Sequence, residues 1–427
     1  MSYRPDVTSK YLIIKILLIL FLLQGCSPLR KSLDSNLHNS AFQNSLHGLV
    51  VLDADTKKTI YDHNGAVYFT PASNVKIATF YSCTQLIPKH VPSLKYLVDQ
   101  DTLYIEGTGD PTWLHPYFHD TTTIDWLKKQ QQIALYLNNT EETRYGPGWA
   151  WEDFDTYFSP EKGSLPLYGN VVSIAHTDSL KVLPRYFKDA VAVQDHTKYR
   201  DEFFNRFYIA PMEEDTLEVP FITDQKLTKE LLEQILDKKI TITDEFPSGT
   251  KKIRYGMETD SIYKQMLLES DNFLAEQLMM MASSVLSDTL GTKRVITHSL
   301  ENSLKDLQHE PRWVDGSGLS RYNLFTPRSM VEILQKLYIE IPQDHLFAIL
   351  PMWDSSGTVE KWQDPDTAPF VFAKSGSLGN NYNLSGYVLT KSGKLLIFSF
   401  MNNHFRVPTS KIRDEIYSTL KKLHEDY

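Results

Sequence analysis

Apolar residues follow different rhythms along this chain, and each rhythm predicts a different element. From Tyr11 to Leu23 they run together, broken only by Lys15. Leu46-His-Gly-Leu-Val-Val-Leu-Asp53 and Lys58-Thr-Ile-Tyr-Asp-His63 are short apolar runs around Ala54-Asp-Thr-Lys57, the pattern of two strands joined by a turn. A helix is predicted directly after Thr70, a suitable N-cap, with Pro71 at its first position and Ile77 and Phe80 on an apolar face. Ser73 then falls in the first turn of a buried helix.

Beyond about Gly256, helical spacing covers 261–286 and 293–307 and resumes after Thr326. Strand runs follow near Phe370, Tyr387 and Leu396, and an amphipathic helix closes the chain from Thr409 to His424. Strands near both chain ends with helices between them suit one antiparallel sheet covered by helices, an α+β arrangement. The stretch from about Tyr96 to Phe246 breaks this plan. Thr102-Leu-Tyr-Ile-Glu106 and Leu217-Glu-Val-Pro-Phe-Ile222 are strand-like, Pro220 restricts the second to a sheet edge, and Gln225–Leu236 is a helix. The expected organisation is a leader at 1–25, a polar tether at 26–40, a main domain at 41–95 and 247–427, and an inserted, mostly β domain at 96–246.

Length and composition support two cores: 427 residues exceed one ordinary domain, and 41% hydrophobic residues can fill both. A net charge of -9, with no basic patch and no glycine-rich phosphate loop, argues against a nucleic-acid partner. Arg4 and Lys10 precede the apolar stretch at 11–23, which is short for a bilayer span. Leu23-Gln-Gly-Cys26 then resembles a bacterial lipoprotein box, so Cys26 is expected to be acylated after cleavage, although Gln24 is unusual there. The lipid would tether the chain to a membrane, with a periplasm-facing outer-membrane anchor expected. Cys83, the only other cysteine, is read as a small core residue.

Three short motifs carry the chemistry: Ser73-Asn-Val-Lys76, Ser270-Asp-Asn272 and Lys374-Ser-Gly376. Their order matches that of penicillin-recognising serine acyl-transfer enzymes. Context must choose among repeats, because Ser-x-x-Lys occurs five times and only Ser73 follows a helix-start signal. Ser-x-Asn occurs once, at Ser270. Lys-Ser-Gly recurs at Lys391, but there it sits between two strand runs and reads as a hairpin turn.

With Gly107-Thr-Gly-Asp-Pro111, Gly148-Trp-Ala-Trp-Glu-Asp153, Ser270-Asp-Asn-Phe-Leu-Ala-Glu276 and Asp315-Gly-Ser-Gly-Leu-Ser-Arg-Tyr-Asn323, the chain resembles the D-alanyl-D-alanine carboxypeptidase/endopeptidase family typified by penicillin-binding protein 4. The resemblance runs from about Leu46 to the C-terminus. It implies a β-lactamase/transpeptidase-like domain with an insert between the first two motifs, which accounts for their 197-position separation. It departs in a shorter insert and in Lys-Ser-Gly where Lys-Thr-Gly is commoner.

A serine hydroxyl needs a base within hydrogen-bond reach, and Lys76, three positions on, can share a helix face with Ser73. Its amine must be neutralised by burial and neighbouring cationic groups, here the helix N-terminus and Lys374. Whether Lys76 acts directly or through Ser270 stays open. The resemblance implies that Ser270 relays a proton to the leaving nitrogen, Asn272 binds substrate amide, and Lys374 with Ser375 holds the terminal carboxylate. The N–H groups of Ser73 and of Ser377, next after Gly376, would form the oxyanion hole. Asp153 would meet the free amine of a diamino acid, or else merely cap its loop. Expected partners are peptidoglycan stem peptides and cross-links, with β-lactams as covalent inhibitors.

Asp271, Asp315 and Asn323 are read as structural. His115 and His119 have His-x-x-x-His spacing, but Pro116 breaks a zinc-peptidase helix, so no metal and no cofactor is assigned. Two other readings compete. A β-lactamase would need a deacylating glutamate, for which Glu301 is a near miss, or a Tyr-x-Asn motif, which Tyr168-Gly-Asn170 fits. A non-catalytic β-lactam sensor would need neither base nor relay.

Overall fold

The computed structural model describes residues 28–176, 179–211, 213, 215–352 and 369–427; the leader and Cys26 lie outside them. The strands are β1 (Leu46–Asp53), β2 (Thr59–His63), β3 (His90–Asp99), β4 (Thr102–Gly107), β5 (Gln132–Tyr136), β6 (Val171–His176), β7 (Leu180–Leu183), β8 (Val191–Val193), β9 (Phe207–Ile209), β10 (Leu217–Pro220), β11 (Thr241–Ile242), β12 (Lys252–Glu258), β13 (Val371–Leu378), β14 (Asn381–Leu389) and β15 (Leu395–Asn403). The α-helices are α1 (Pro28–Leu37), α2 (Val75–Leu86), α3 (Thr122–Lys128), α4 (Gln225–Leu236), α5 (Asp260–Leu268), α6 (Asn272–Leu286), α7 (Thr292–Glu301), α8 (Pro327–Glu340), α9 (Gln343–Ile349) and α10 (Thr409–Asp426).

Both ends of the chain build one antiparallel sheet, in the order β13-β14-β15-β1-β2. All nine residues of β15 are buried, as a central strand covered on both faces requires. Its side chains alternate with period two: Leu395, Ile397 and Met401 join the core with α2, α6 and α8, whereas Leu396, Phe398 and Phe400 face α1 and α10.

The expected tether is not one. Residues 28–37 form α1, whose Leu33 and Leu37 are buried against Ile416, Leu420 and Leu423 of α10. Leu29, Leu33 and Leu37 recur every four positions, a helical stripe hidden in a polar stretch. Asn39 and Asn36 secure the arrangement through Glu415 (2.7 Å) and Lys422 (2.5 Å) of α10.

A second sheet, β11-β5-β4-β3-β12, adjoins the three-stranded β10-β6-β7, and β8 pairs with β9. Its outgoing and returning strands β3 and β12 pair with each other, so this region begins and ends outside 96–246. It is mostly β, as expected, and adds α3 to the expected helix at Gln225–Leu236, which is α4. The β4–α3–β5 unit is a parallel crossover, and α4 leads to β11, again parallel to β5. Leu227, Leu231, Leu232 and Leu236 of α4 pack into the insert core with Ile105, Leu135 and Phe221. Strand β10 does lie at a sheet edge, with Pro220 its last residue.

Two helix expectations need revision. The run at 261–286 is two helices, α5 and α6, broken at Ser270, whose φ is 58°. The run at 293–307 ends at Glu301, yet Leu304 beyond it still reaches the core.

Candidate active site

Ser73 sits in a single 3-10 turn, Ala72–Asn74, that feeds α2, so the α-helix starts two residues after the serine. Thr70 does not cap with its side chain. Its backbone instead joins the turn to the sheet, donating to Asn403 Oδ1 at 2.7 Å and accepting from Asn383 Nδ2 at 3.0 Å. Asn74 Nδ2 donates to Ser385 Oγ at 3.1 Å on β14. Ala72 carries φ 48°, a strained value for a residue with a Cβ, and such outliers persist only where their surroundings over-determine them.

Two glycines explain how. A Cβ on Gly376 would lie 2.5 Å from Pro71 O and 2.9 Å from Ser73 N; one on Gly318 would lie 1.9 Å from Ala72 O. Strand β13 and the Asp315–Ser320 loop therefore close on the Ser73 turn from two sides, at distances only glycine permits.

Within this frame Lys76 is fully buried and its Nζ donates to Ser73 Oγ (3.1 Å), Asn272 Oδ1 (2.6 Å) and Ser317 O (2.7 Å). Burial pulls the amine down to about 8, against the opposing pull of Asp271, Asp315 and Glu276. Lys374 is also fully buried, donates to the carbonyl of Ser375 at 2.9 Å, and is held well below the usual lysine range by burial and by Lys76. The charge on Lys76 thus disfavours one on Lys374.

Ser73, Ser270, Asn272, Ser375, Ser377 and Asp153 all line one cleft of about 760 Å³. Lys374 is not among the lining residues; it is fully buried, with its amine on the Ser375 carbonyl. Asp153 reaches the cleft from a 3-10 turn of the insert, half-buried. Its carboxylate makes no hydrogen bond among the described residues, and partial burial raises its pKa while Arg321 opposes. It caps no loop among the described residues.

The residues read as structural are so placed. Asp271 N-caps α6 through Leu274 N at 2.9 Å. Asp315 accepts from Gly318 N, Ser320 N, Asn323 Nδ2 and Trp149 Nε1, tying the glycine loop to the insert. Cys83 is fully buried in the α2 core. His115 packs its ring on Phe273, and His119 is exposed on a loop. Of the competing motifs only Gly169 lines the cleft. Asn170 spends its amide on Leu167 N and Glu161 O, and Glu301 is exposed at the end of α7.

Glu276 was not singled out by sequence reasoning. It is fully buried, accepts from Ser317 N at 2.8 Å, and is pushed up to about 7 by burial and Asp315, with Lys162 opposing. Its position four residues after Asn272, on one helix face, was the available signal. Arg321 and Arg413, which also line the cleft, had no comparable one.

A sequence model of the D-Ala-D-Ala carboxypeptidase 3 (S13) family matches residues 29–186 and 217–423. The chain is 27% identical, across a 454-residue alignment, to the D-alanyl-D-alanine carboxypeptidase DacB of Haemophilus influenzae, covering 88% of this chain and 91% of that protein. Among solved structures it is similar to penicillin-binding protein 4 of Haemophilus influenzae, with a TM-score of 0.70 at 18% identity, over 90% of this chain and 94% of that one. A predatory peptidoglycan endopeptidase of Bdellovibrio bacteriovorus gives 0.51 at 16% identity, over 88% and 92%. At such identities the two structures speak for a shared fold.

Proposed function

From the premise that this chain belongs to the D-Ala-D-Ala carboxypeptidase 3 (S13) family, and so is a hydrolase acting on D-Ala-D-Ala, we propose how its residues divide the work. The observation that carries the assignment is the desolvated Lys76 amine 3.1 Å from Ser73 Oγ. Neutral Lys76 takes the Ser73 proton as Oγ adds to the carbonyl carbon of the penultimate D-alanine. The N–H groups of Ser73 and Ser377 receive the developing oxyanion. Ser270 passes the proton to the departing nitrogen, the C–N bond breaks, and D-alanine leaves an ester on Ser73. Water then hydrolyses the ester and restores the hydroxyl.

The left-handed backbone at Ser270 supports this role, since it lifts the hydroxyl out of the α5–α6 helical run toward the cleft. The terminal carboxylate meets Ser375, with Lys374 behind it. A carboxylate there favours protonated Lys374, and that charge in turn disfavours a proton on Lys76, so substrate docking itself readies the base.

Asp153, whose carboxylate takes no hydrogen bond from the described residues, suits a free amine on the stem peptide's diamino acid. The same site cleaves a terminal D-alanine or, where the leaving side is open, a cross-link. β-Lactams acylate Ser73 by the same attack. Beyond the described residues, Cys26 carries a lipid that holds the enzyme at the outer membrane, facing the cell wall in the periplasm. Purified protein incubated with cross-linked and monomeric muropeptides, with products read by mass, tests the substrate side. Asp153→Ala should raise KM about tenfold for stems with a free diamino amine and leave amidated stems unchanged; equal effects on both would reject the assignment. Labelling cells with a fatty-acid probe tests the anchor: signal lost in Cys26→Ala supports it, and an unlabelled wild type rejects it.

A further inference from the structure

We propose that the inserted segment from Phe158 to Gly163 is a positioning element for the catalytic amine, acting on Lys76 through Asn272 and Glu276. The inference rests on the role assigned to Lys76 above. The segment lies in register along one face of α6. The Phe158 carbonyl accepts from Asn272 Nδ2 at 2.9 Å, and Lys162 Nζ is 3.9 Å from Glu276 Oε2. Gly163 exchanges two hydrogen bonds with the Gln277 amide, at 3.1 and 2.8 Å.

The Gln277 pair fixes the segment on α6, and the other two contacts lead on to Lys76. A side-chain amide has a donor end and an acceptor end, so fixing the Asn272 donor on Phe158 aims its oxygen at the lysine, 2.6 Å away. On the second route Glu276 accepts from Ser317 N, and the Ser317 carbonyl accepts from Lys76 at 2.7 Å. Two of the three Lys76 acceptors are thereby set from the insert.

The charges around this route are few. Glu276 faces Lys162 and Asp315, and Lys162 also pairs with Glu142, itself on the insert and held by the N–H of Thr292. Lys76 faces Asp271, Asp315 and Glu276, and its proximity depresses Lys374. A buried ion cluster of this kind stabilises a fold no better than well-packed apolar side chains of similar volume. Its distinguishing feature is its place one hydrogen bond from the Ser317 peptide that cradles the base.

The experiment compares full-length wild type, Glu276→Gln, Lys162→Met, Lys162→Arg and the Lys162→Met/Glu276→Gln double variant. The readouts are the second-order acylation rate by a fluorescent penicillin from pH 6 to 10, per titrated active site, and the melting temperature. Glu276→Gln keeps an acceptor for Ser317 N but removes an anion that favours charged Lys76, so its acylation midpoint should move about half a unit to lower pH. Lys162→Met should lose about tenfold in rate, Lys162→Arg should recover to within about threefold, and the double variant should be no slower than the worse single variant. A purely structural role would change the melting temperature and the active fraction only. Wild-type rates and midpoints in every variant would overturn the proposal. A wild type that penicillin does not acylate at all would instead fail the reading of Ser73 and Lys76 and take this inference with it.

Discussion

The acid–base state of Lys76 sets a pH dependence that can be worked from the structure. Burial outweighs three nearby carboxylates and leaves its folded pKa at about 8, against an ordinary 10.5. An ordinary lysine is neutral about three times in ten thousand at pH 7; at about 8 the fraction is roughly one in eleven, a gain of about 300-fold. The second-order rate of acylation by penicillin, followed by stopped flow, should rise close to tenfold per pH unit below about 7.5 and level off above 8 to 9. The linkage to stability has a definite sign. The folded chain binds this proton less tightly than the unfolded one, so the cost to folding is complete below about 8 and fades as pH rises toward 10.5. Lys76→Met removes the base and should slow acylation by roughly 10²–10⁴-fold while flattening the profile. A wild-type profile that is flat from pH 6 to 9, or a midpoint at 10 or above, would refute the reasoning.

Other outcomes follow from the packing. Gly376→Ala puts a methyl within 3 Å of three backbone atoms of the Ser73 turn. The turn must move by a sizeable fraction of an ångström, so acylation should fall by roughly 10²-fold with a smaller change in melting temperature. Leu33→Ala, in a helix expected to be a tether, should cost about 2–4 kcal/mol in urea unfolding because the side chain is fully buried against α10. Ser270→Ala should reduce D-alanine release by about 10²–10³-fold, whereas Tyr168→Phe should leave it unchanged, since Tyr168-Gly-Asn170 is a strained structural turn. Mass analysis of a timed digest of pentapeptide separates the two.

Much of this enzyme is legible in its residues, and the limits have physical causes. The central strands could be read because β1 and β15 carry dense apolar runs, and α8 because Thr326-Pro327 is a strong start signal whose cap the structure shows at Ser329 N. The three motifs could be ordered because Ser270-Asp-Asn272 occurs once. Helix α1 was missed because three leucines in a polar stretch gain meaning only when α10, nearly four hundred residues later, supplies the opposing face. The break at Ser270 was missed because a left-handed residue between two apolar helices leaves no mark on periodicity. Helix α3 of the insert was missed because a parallel crossover as short as β4–α3–β5 shows little helical repeat. Glu276 and Lys162 escaped because their pairing joins distant segments, so the spacing from Asn272 to Glu276 gains meaning only when the fold brings Lys162 alongside.

The proposed nucleophile is Ser73, activated by Lys76. Intact-protein and peptide mass spectrometry after a short exposure to penicillin tests it most directly, alongside D-alanine release from a stem pentapeptide. One penicilloyl adduct is expected on the peptide containing Ser73, with neither adduct nor D-alanine release in Ser73→Ala. An adduct on any other serine, or D-alanine release that survives Ser73→Ala, would contradict it.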